Sequence, residues 1–590
     1  MLPETICSVV QHCSKIKAFR QGFSLHAAVY KTGIQSDVFI SNHLLNMYAK
    51  CGKISSARQM FDEMSHRNLI SWSAMISGYA QFGNHLLALE LFSRMQLVPN
   101  DYIFASALSA CASLQAVALG RQIHAQTLKL GYASVCFVFN SIMSMYMKCG
   151  RFYDALFFLD EVLEPNSVSY NALIAGFVEN QEYEKGLELF KLMHEQGLAA
   201  DCFTFAGVLE SCMNLNDLHR GMVLHCQTVK VKLDSSAFVG NLIMTMYSKF
   251  NLMEEAEKVF RIIEEKDVIL WNTFIAGCSH CMDHEKGLRF FKEMSNENIV
   301  TPDEFTFASV LAASAGLASI HHGKQIHGHL IRAKFNQDVG LGNALVNMYA
   351  KCGSIDYAYK LFNRMPHHNL VTWNTIITAY GNHGQGEMAL ELFEQMKAVG
   401  VNPDSVTFTG LLMACNHAGL VEKGEFYFNS MEEIYGIAPQ IEHFSCLIDV
   451  LGRAGKLQEA EKYMKKSPFS QDPIVLGSLL SSCWLHGNVV IGERLAEQLF
   501  KFQPVTTSPY VLVANLYASD AMWSDVVEAR KKLKYCGLKK EPGHSMIELK
   551  GNFEKFTVGN FSHARIEEIK FMLKVLGWAA AEVSFIDILS

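Results

Sequence analysis

Four histidines recur at nearly constant spacing and are the first candidates for chemistry in this sequence: His26, His124, His225 and His327. Their positions differ by 98, 101 and 102 residues. Imidazole is the commonest metal ligand in proteins, so four of them would suit a metal cluster. Packed helices lie about 8–10 Å apart, however, which would place residues three helical hairpins apart tens of ångströms from each other. We therefore interpret the series as a packing residue of a repeat.

A second candidate is Cys278-Ser279-His280-Cys281, which lies near His284. A structural zinc site needs four ligands, and this CxxC has no second ligand pair. A zinc deaminase would need a His-x-Glu motif followed by CxxC, and none of the 23 histidines has Glu two residues later. Phosphate-loop and dinucleotide fingerprints are also absent from the sequence. We therefore expect no catalytic residue, no metal and no cofactor, and the chain is not predicted to be an enzyme.

The composition limits which elements carry these residues. The 590 residues are 50% hydrophobic and 18% charged, which excludes a disordered chain and, at this length, indicates several domains or a repeat array. No apolar run reaches the length of a membrane span, so we expect no membrane partner. The net charge of −7 is not typical of a nucleic-acid-binding protein, so that function would require basic residues concentrated locally.

Internal repetition is the dominant feature of the sequence. The phrase MYAKCG begins at Met47 and Met348, with MYMKCG at Met145 and MYSKFN at Met246, at the same intervals as the histidines. A second series of phrases keeps the same spacing and begins at Trp72, Tyr170, Trp271 and Trp373. Unit starts at Asn166, Asp201, Ser236 and Asp267 divide one such block into lengths of 35, 35 and 31 residues.

Each unit has the pattern of two amphipathic helices. In the unit that starts at Asn369, apolar residues recur near a 3.6-residue period from Leu370 to Tyr380, and a second set runs from Met388 to Met396. Gly384 and Gly386 mark the break between the two sets. One hairpin cannot bury both apolar stripes, but stacked hairpins can. We therefore predict an all-α fold, an α-solenoid superhelix of stacked helix-turn-helix repeats.

Units of these lengths with YNALI and MYAKCG phrases resemble the pentatricopeptide repeat (PPR) proteins of plant organelles, in the PLS class that mixes long, short and standard repeats. The resemblance covers about fourteen repeats in residues 2–471. Residues 472–549 resemble the family's E-type extension of two degenerate helical hairpins. Residues 550–590 resemble a truncated E+-like tail, in which Ala564 replaces the usual proline and Met546, just before the tail, the usual tryptophan. This places the chain in the E/E+ subgroup without a DYW deaminase domain.

The resemblance implies a site-recognition factor for C-to-U editing of organellar transcripts, which recruits a deaminase-bearing protein in trans through the C-terminal extension. The alternatives are an RNA-binding factor for splicing, processing or stability, and a protein-binding scaffold like the tetratricopeptide arrays, whose constant 34-residue period fits poorly. The family favours the mitochondrion over the plastid. No transit peptide is visible at Met1-Leu2-Pro3-Glu4.

Family members read single-stranded RNA with two side chains per repeat, one about a turn into the first helix and one at the end of the repeat, each pair facing one base. The resemblance assigns these roles in eight repeats. The pairs are Asn42 with Asn68, Ser73 with Asn100, Asn140 with Asn166, Asn171 with Asp201, Asn241 with Asp267, Asn272 with Asp303, Asn343 with Asn369, and Asn374 with Asp404. The alternative interpretation is that these residues only cap the helix entrance.

The chemistry of each pair predicts its base. Ionised Asp only accepts hydrogen bonds and suits the N3–H of uracil, whereas Asn also donates and tolerates cytosine. Serine is shorter and leaves room for a purine, here A. The long repeats carry Ala105, Ala206 and Ala308 at the first position and read no base. From 5′ to 3′ the predicted target is YANYUNUUNYU, with N unread.

Apolar residues precede the first-position side chains by three residues and could stack on bases. They are Phe39, Ile70, Phe137, Val168, Phe238, Ile269 and Val371. Gly340 interrupts this series before Asn343, which predicts a weaker grip in that repeat. Acidic residues such as Glu254 and Glu391 fall in second helices. We expect them to face away from RNA, and we expect basic residues to lie nearer to it.

Overall fold

The computed structural model describes residues 3–16, 18–31, 33–34, 37–160, 166–297, 300–333, 338–501, 507–535, 543–549, 552–557 and 565–576. These residues form α-helices, as predicted, and one β-hairpin near the C-terminus, which was not predicted. A further helix spans 566–576. The helices before the hairpin are α1 (Pro3–Lys15), α2 (Phe19–Lys31), α3 (Val38–Lys50), α4 (Ile54–Glu63), α5 (Leu69–Gln81), α6 (His85–Arg94), α7 (Asp101–Ser113), α8 (Val117–Lys129), α9 (Cys136–Lys148), α10 (Phe152–Asp160), α11 (Ser167–Glu179), α12 (Tyr183–Glu195), α13 (Cys202–Asn214), α14 (Leu218–Lys230), α15 (Ala237–Lys249), α16 (Met253–Ile262), α17 (Val268–His280), α18 (His284–Glu297), α19 (Glu304–Gly316), α20 (Ile320–Arg332), α21 (Val339–Lys351), α22 (Ile355–Arg364), α23 (Leu370–Asn382), α24 (Gly386–Ala398), α25 (Ser405–Ala418), α26 (Val421–Glu433), α27 (Ile441–Arg453), α28 (Leu457–Lys466), α29 (Pro473–Leu485), α30 (Val489–Leu499), α31 (Ser508–Ser519) and α32 (Trp523–Tyr535).

The recurrent MYAKCG phrase forms the end of a first helix and the turn into the second. In α3 and α21 the helix ends at the lysine, and Gly52 and Gly353 follow with φ of 75° and 80°. This left-handed conformation ends helices and strongly favours glycine or asparagine. In the MYSKFN variant, Asn251 takes the same conformation with φ of 59°. The phrase therefore recurs because each hairpin needs the same turn.

Aromatic packing joins each repeat to the next. Phe61 of α4 packs edge-on against Trp72 of α5, with ring centroids 5.0 Å apart. The same contact recurs between Phe260 and Trp271 at 4.8 Å, where Trp271 is 1% exposed. Rings packed edge-to-face inside a core stabilise beyond the area that they bury. The second series of phrases thus places an aromatic residue where two hairpins meet.

The chain divides into two compact units, residues 1–277 and 278–590. Within each unit, Cα atoms of consecutive first helices come within 8 Å of each other, as in α7 with α9 and α23 with α25. Within each unit, the consecutive second helices that the structure describes show no such approach. The first helices therefore form the more closely packed layer of each unit. They are apolar around most of their circumference and expose one face. No helix in the described part of the chain is long and apolar enough to span a bilayer.

The chain after α28 continues with two more helical hairpins and then changes architecture. Asp472 caps α29, accepting from the Ile474 amide at 2.8 Å. After α32, strands β1 (His544–Leu549) and β2 (Asn552–Thr557) pair antiparallel, with Leu549 opposite Asn552. The boundary that the sequence predicted at residues 549 and 550 falls between these two strands.

Candidate nucleic-acid interface

The residues at the repeat ends all cap a helix. In each of the eight pairs, the end residue accepts a hydrogen bond from the backbone amide three residues later, at 2.8–3.1 Å. Asp404, for example, accepts from the Thr407 amide at 2.8 Å. Capping of this kind satisfies amides that have no partner within the helix. Capping is therefore one role of the residue at this position, and the capping bond uses one oxygen of each side chain.

The first-position residues do not cap, because they lie inside the first helices. Five of them are half-buried, and Asn42, Asn343 and Asn374 are only 6–9% exposed. Asn42 donates from Nδ2 to Asn68 Oδ1 at 3.1 Å, and Asn374 donates to Asp404 Oδ1 at 3.0 Å. The structure thus brings together side chains that are separated by 26 and 30 residues in sequence.

The ionisation of Asp404 follows from these contacts. Burial alone would raise the pKa of its carboxyl, but hydrogen bonds from Thr407 and Asn374 outweigh burial and hold the pKa below its usual value. A hydrogen bond to the charged form always acts in this direction. The carboxylate is therefore ionised at neutral pH and presents acceptors only.

Asn140 and Asn166 are joined through a sulfur atom. Both amide groups donate to Cys136 Sγ, Asn166 at 2.9 Å and Asn140 at 3.5 Å. The Ser169 hydroxyl, which has one proton to donate, lies within hydrogen-bond distance of the oxygens of both asparagines, at 3.1 and 3.0 Å. This pair is assembled by intermediaries, which the sequence pattern did not predict.

Four of the remaining five pairs differ from the three described above. Among the described residues, no direct hydrogen bond joins Ser73 to Asn100, Asn241 to Asp267, or Asn343 to Asn369. The buried Oδ1 of Asn241 and that of Asn343 have no hydrogen-bond partner in the described structure. Asn272 and Asp303 lie in different units and are described separately; Asp303 caps α19 and Asn272 is half-buried in α17.

Four of the pairs include a third polar residue, which the sequence did not predict. Three residues after four of the end residues, a buried hydroxyl group contacts both members of the pair: Ser71, Ser169, Thr204 and Thr407. The Thr204 hydroxyl lies 2.6 Å from Asn171 Oδ1. The recurrence of Ser or Thr at this position was visible in the sequence as a capping-box pattern, in which the third helical residue bonds back to the cap.

Apolar side chains lie exposed beside the pairs. The seven predicted residues are 47–60% exposed, from Phe238 at 47% to Ile70 at 60%. The equivalent positions of the long repeats carry aromatic rings that are 60–72% exposed, and the sequence did not single them out: Tyr102, Phe203 and Phe305. Tyr102 lies 5.7 Å from Phe137 between ring centroids. Solvent-exposed aromatic rings can serve as stacking platforms for bases.

Two cavities combine these features with a lysine. One, of about 600 Å³, is lined by Phe39, Asn42, Ile70, Ser73 and Lys50 among others. The other, of about 760 Å³ in the second unit, is lined by Asn343, Asn374, Asp404, Val371 and Lys351 among others. Clefts of 300–1,000 Å³ with apolar walls and a few polar groups are typical of ligand sites.

Lys50 belongs to a row of three in the first unit that ends the short-repeat first helices, with Lys148 and Lys249, and Lys351 ends the equivalent helix α21 in the second unit. All four are exposed, and none makes an ion pair with a described residue. Acidic residues of the second helices instead pair with basic residues of neighbouring second helices. Glu387 pairs with Lys423 at 2.6 Å, and Glu184 pairs with Arg220 at 2.8 Å. Cations that are not neutralised thus lie beside the polar pairs, despite the net charge of −7.

The four recurrent histidines bond to tyrosine hydroxyl groups 22 residues later, at 2.8–3.0 Å, as His225 does to Tyr247. They join a second helix to the next first helix. Within the described residues, no group of three or more His, Cys, Asp and Glu side chains could hold a metal ion.

Comparison with known proteins adds to this geometry. A PPR repeat model matches residues 39–69, 70–97, 137–165, 241–268, 343–370, 406–434 and 442–467. A PPR repeat family model matches 165–214, 266–315 and 368–417, and an E motif model matches 486–548. In solved structures, maize PPR10 matches with a TM-score of 0.51 at 16% identity, covering 91% of this chain and 90% of that one. PPR10 in complex with an 18-nt psaJ RNA element matches with 0.54 at 15%, covering 90% and 84%.

Curated relatives come from Arabidopsis thaliana. A chloroplastic pentatricopeptide repeat-containing protein is 35% identical over 96% of this chain and 70% of its own length. A second pentatricopeptide repeat-containing protein is 37% identical over 94% and 56%, and a third is 34% identical over 99% and 81%. The chain thus spans 56–81% of the length of these three relatives. The chain belongs to the pentatricopeptide repeat family, in the E/E+ subgroup of its PLS class.

Proposed function

We propose that this protein binds single-stranded RNA by sequence and marks sites for C-to-U editing in a plant organelle, with the deaminase supplied by another protein. The observation that carries the proposal is the cavity between α21, α23 and α25, where Asn374 and Asp404 meet beside Val371 and Lys351. A polar pair can read a base edge, an exposed apolar side chain can stack on a base, and a lysine can neutralise a phosphate. Single-stranded RNA offers base edges, base faces and phosphates for these three contacts.

The solved relative supports the RNA part of the proposal, because PPR10 was crystallised with an 18-nt RNA element. The E motif at 486–548 supports the editing part. The repeats alone would suffice for RNA binding, so an added C-terminal extension favours a second partner over splicing, processing or stability factors that act by binding. Three Arabidopsis relatives are labelled chloroplastic, which sets the plastid beside the mitochondrion that the family resemblance favours.

Binding is tested with the purified chain and a labelled RNA that contains UAAUUAUUAUU, one form of the predicted YANYUNUUNYU. We expect tighter binding to it than to an RNA of the same composition in scrambled order. The matched control is a DNA of the same sequence, with T for U, which separates base recognition from preference for ribose. Equal affinity for the ordered and scrambled RNAs would contradict sequence-specific binding.

Editing is tested by sequencing organellar transcripts from a loss-of-function plant. Loss of C-to-U conversion at one or a few sites, restored by the intact gene, is the expected result. Unchanged editing with altered transcript ends or retained introns would instead support a processing or splicing factor.

A further inference from the structure

The structure contains two Asn–Asp pairs in the first unit that the sequence predicts to be equivalent, yet their surroundings differ. Asn171 with Asp201 has Thr204 beside it, whereas Asn241 with Asp267 has Leu270 at the same position. Both of these neighbours are buried, with 0% exposure. The difference is therefore in the polar contacts of the pair and not in its accessibility.

The Thr204 hydroxyl has a defined direction of donation. Its oxygen accepts from the Asp201 backbone amide at 3.0 Å, so its single proton is free for one strong bond. Asn171 Oδ1 lies 2.6 Å from it and Asp201 Oδ1 lies 3.1 Å from it. The hydroxyl donates its proton along the shorter contact, so the carbonyl oxygen of Asn171 accepts this hydrogen bond.

The hydrogen bond from Thr204 to this oxygen fixes the orientation of the Asn171 amide group. The amide can adopt two orientations that exchange its oxygen and its NH2 group, and only one places Oδ1 on the threonine hydroxyl. In that orientation Nδ2 lies 2.9 Å from both carboxylate oxygens of Asp201. An amide nitrogen carries two protons on diverging N–H bonds, so one is directed at the carboxylate and the other is left for a base.

The orientation matters for base selection. An N–H from Asn171 beside a carboxylate oxygen from Asp201 matches the O4 acceptor and adjacent N3–H donor of uracil. Cytosine presents the reverse order, an N4 donor and an N3 acceptor. A flipped amide would present two acceptors side by side and would no longer exclude the cytosine N4 donor.

The second pair has no hydroxyl group at this position. Leu270 cannot donate through its side chain, and the buried Oδ1 of Asn241 has no hydrogen-bond partner in the described structure. Among the described residues, the Leu270 backbone amide is the one donor that bonds to a side chain of this pair, at 2.8 Å from Asp267 Oδ1. A buried acceptor without a partner is unfavourable, so nothing at this position favours the discriminating orientation of the amide.

We propose that Thr204 and its counterparts Ser71, Ser169 and Thr407 are positioning residues that set how sharply each repeat discriminates between bases, and that Leu270 leaves its repeat less selective. The inference rests on the proposed RNA reading, because a pair that meets no base has nothing to discriminate. Ser71 and Thr407 repeat the 2.6 Å contact with Asn42 and Asn374.

The test uses the full chain and three RNAs: the predicted target, a variant with C at the fifth nucleotide, opposite Asn171, and a variant with C at the seventh, opposite Asn241. For each protein the affinity ratio of U over C is measured at both positions. In the wild type we expect a larger ratio at the fifth than at the seventh. In T204V we expect the fifth-position ratio to fall about 3- to 10-fold, the range of one lost hydrogen bond, while the seventh stays unchanged.

Two further variants complete the design. T204S keeps the hydroxyl and should keep the wild-type ratio. L270T adds a hydroxyl and should raise the seventh-position ratio about 3-fold or more. In every variant the untouched position reports on folding, because a misfolded protein would lose both ratios together.

The outcomes distinguish the proposed base reading from the positioning role of Thr204. A wild-type protein with no preference for U at either position overturns the proposed base reading, and this inference falls with it. A wild type that prefers U, with T204V keeping its full fifth-position ratio, overturns the positioning role alone and leaves the proposed function intact.

Discussion

The Nδ2 atom of Asn171 lies 2.9 Å from both carboxylate oxygens of Asp201, although 30 residues separate the two in sequence. The contact joins α11 of one repeat to the entrance of α13 in the next. Asp201 also caps α13 through the Thr204 amide at 2.9 Å. One carboxylate thus begins a helix and completes a polar pair, so its two roles can be separated by mutation.

Asp201→Asn should shift the preference at the fifth nucleotide from U toward C. The amide still offers an oxygen to cap α13, but its nitrogen now donates where the carboxylate accepted. Because hydrogen bonds to charged groups are worth about 1.5–3 kcal/mol, we expect the U-over-C affinity ratio to fall by about 10-fold or more. Competition binding with the two RNAs measures the ratio.

The matched control is Asp217→Asn. Asp217 caps the second helix α14, accepting from the Arg220 amide at 3.0 Å, and belongs to none of the pairs. It should change stability slightly and leave the ratio as in the wild type. If both variants behaved alike, the residue at the repeat end would be a cap and nothing more.

The lysine row should control the salt dependence of binding. For single strands, each phosphate contact contributes about 0.7 to the slope of log K against log salt. Combined substitution of Lys50, Lys148 and Lys249 by Gln should therefore lower the slope by about 2, with base preference retained. Lys258→Gln on the second helix α16 is the control, since Lys258 pairs with Glu255 at 2.7 Å. An unchanged slope in the triple variant would place the phosphates elsewhere.

The exposed ring of the long repeats should contribute affinity without selectivity. Phe203 is 67% exposed and lies 6.0 Å from Phe238 between ring centroids. Because every base has a face on which a ring can stack, Phe203→Ala should weaken RNA binding by about 1–3 kcal/mol and leave base preferences unchanged. Tyr153→Ala, at an 80% exposed ring on the second helix α10, should have no effect on RNA affinity. Equal losses in the two variants would rule out a specific stacking role.

The histidine–tyrosine contacts should make stability depend on pH just below neutrality. Burial lowers the pKa of His225, against the opposing effect of the Asp234 and Glu255 carboxylates. Burial likewise lowers the pKa of His26 and of His327. The unfolded chain, with histidine near its usual pKa of about 6.5, then binds more protons than the folded chain, so stability is full above that value and falls as the pH drops below it.

Urea unfolding at pH 7.5 and 5.5 measures this effect. His225→Gln should be less stable at pH 7.5 and should lose less stability on acidification than the wild type. Paired carboxylates do not obscure the change between pH 7.5 and 5.5. The hydrogen bond from Arg121 is the main cause that lowers the pKa of Asp154, and the pKa of Asp404 is also lowered, so both lie below the usual carboxyl range. His194→Gln, at an exposed histidine, should keep the wild-type pH dependence.

Much of the architecture was predictable because its signals are local. The turn after Lys50 needs a left-handed residue, so glycine recurs there, and where Asn251 replaces it the backbone conformation is the same. The resemblance drawn from these phrases was confirmed by the family models. The β-hairpin at 544–557 was not predicted, because its two six-residue segments, HSMIEL and NFEKFT, lack the strict apolar–polar alternation that indicates a strand.

The sequence by itself determined the repeat, the helices and the residues at the ends of each unit, since caps and apolar stripes depend on neighbours within one or two helical turns. Only the tertiary structure decided which of those residues meet. Asn171 reaches Asp201 directly, Asn140 reaches Asn166 through Cys136, and Asn241 has no such contact with Asp267. These outcomes depend on how one hairpin stacks on the next, across 26 to 33 residues of chain, and no local pattern records that register.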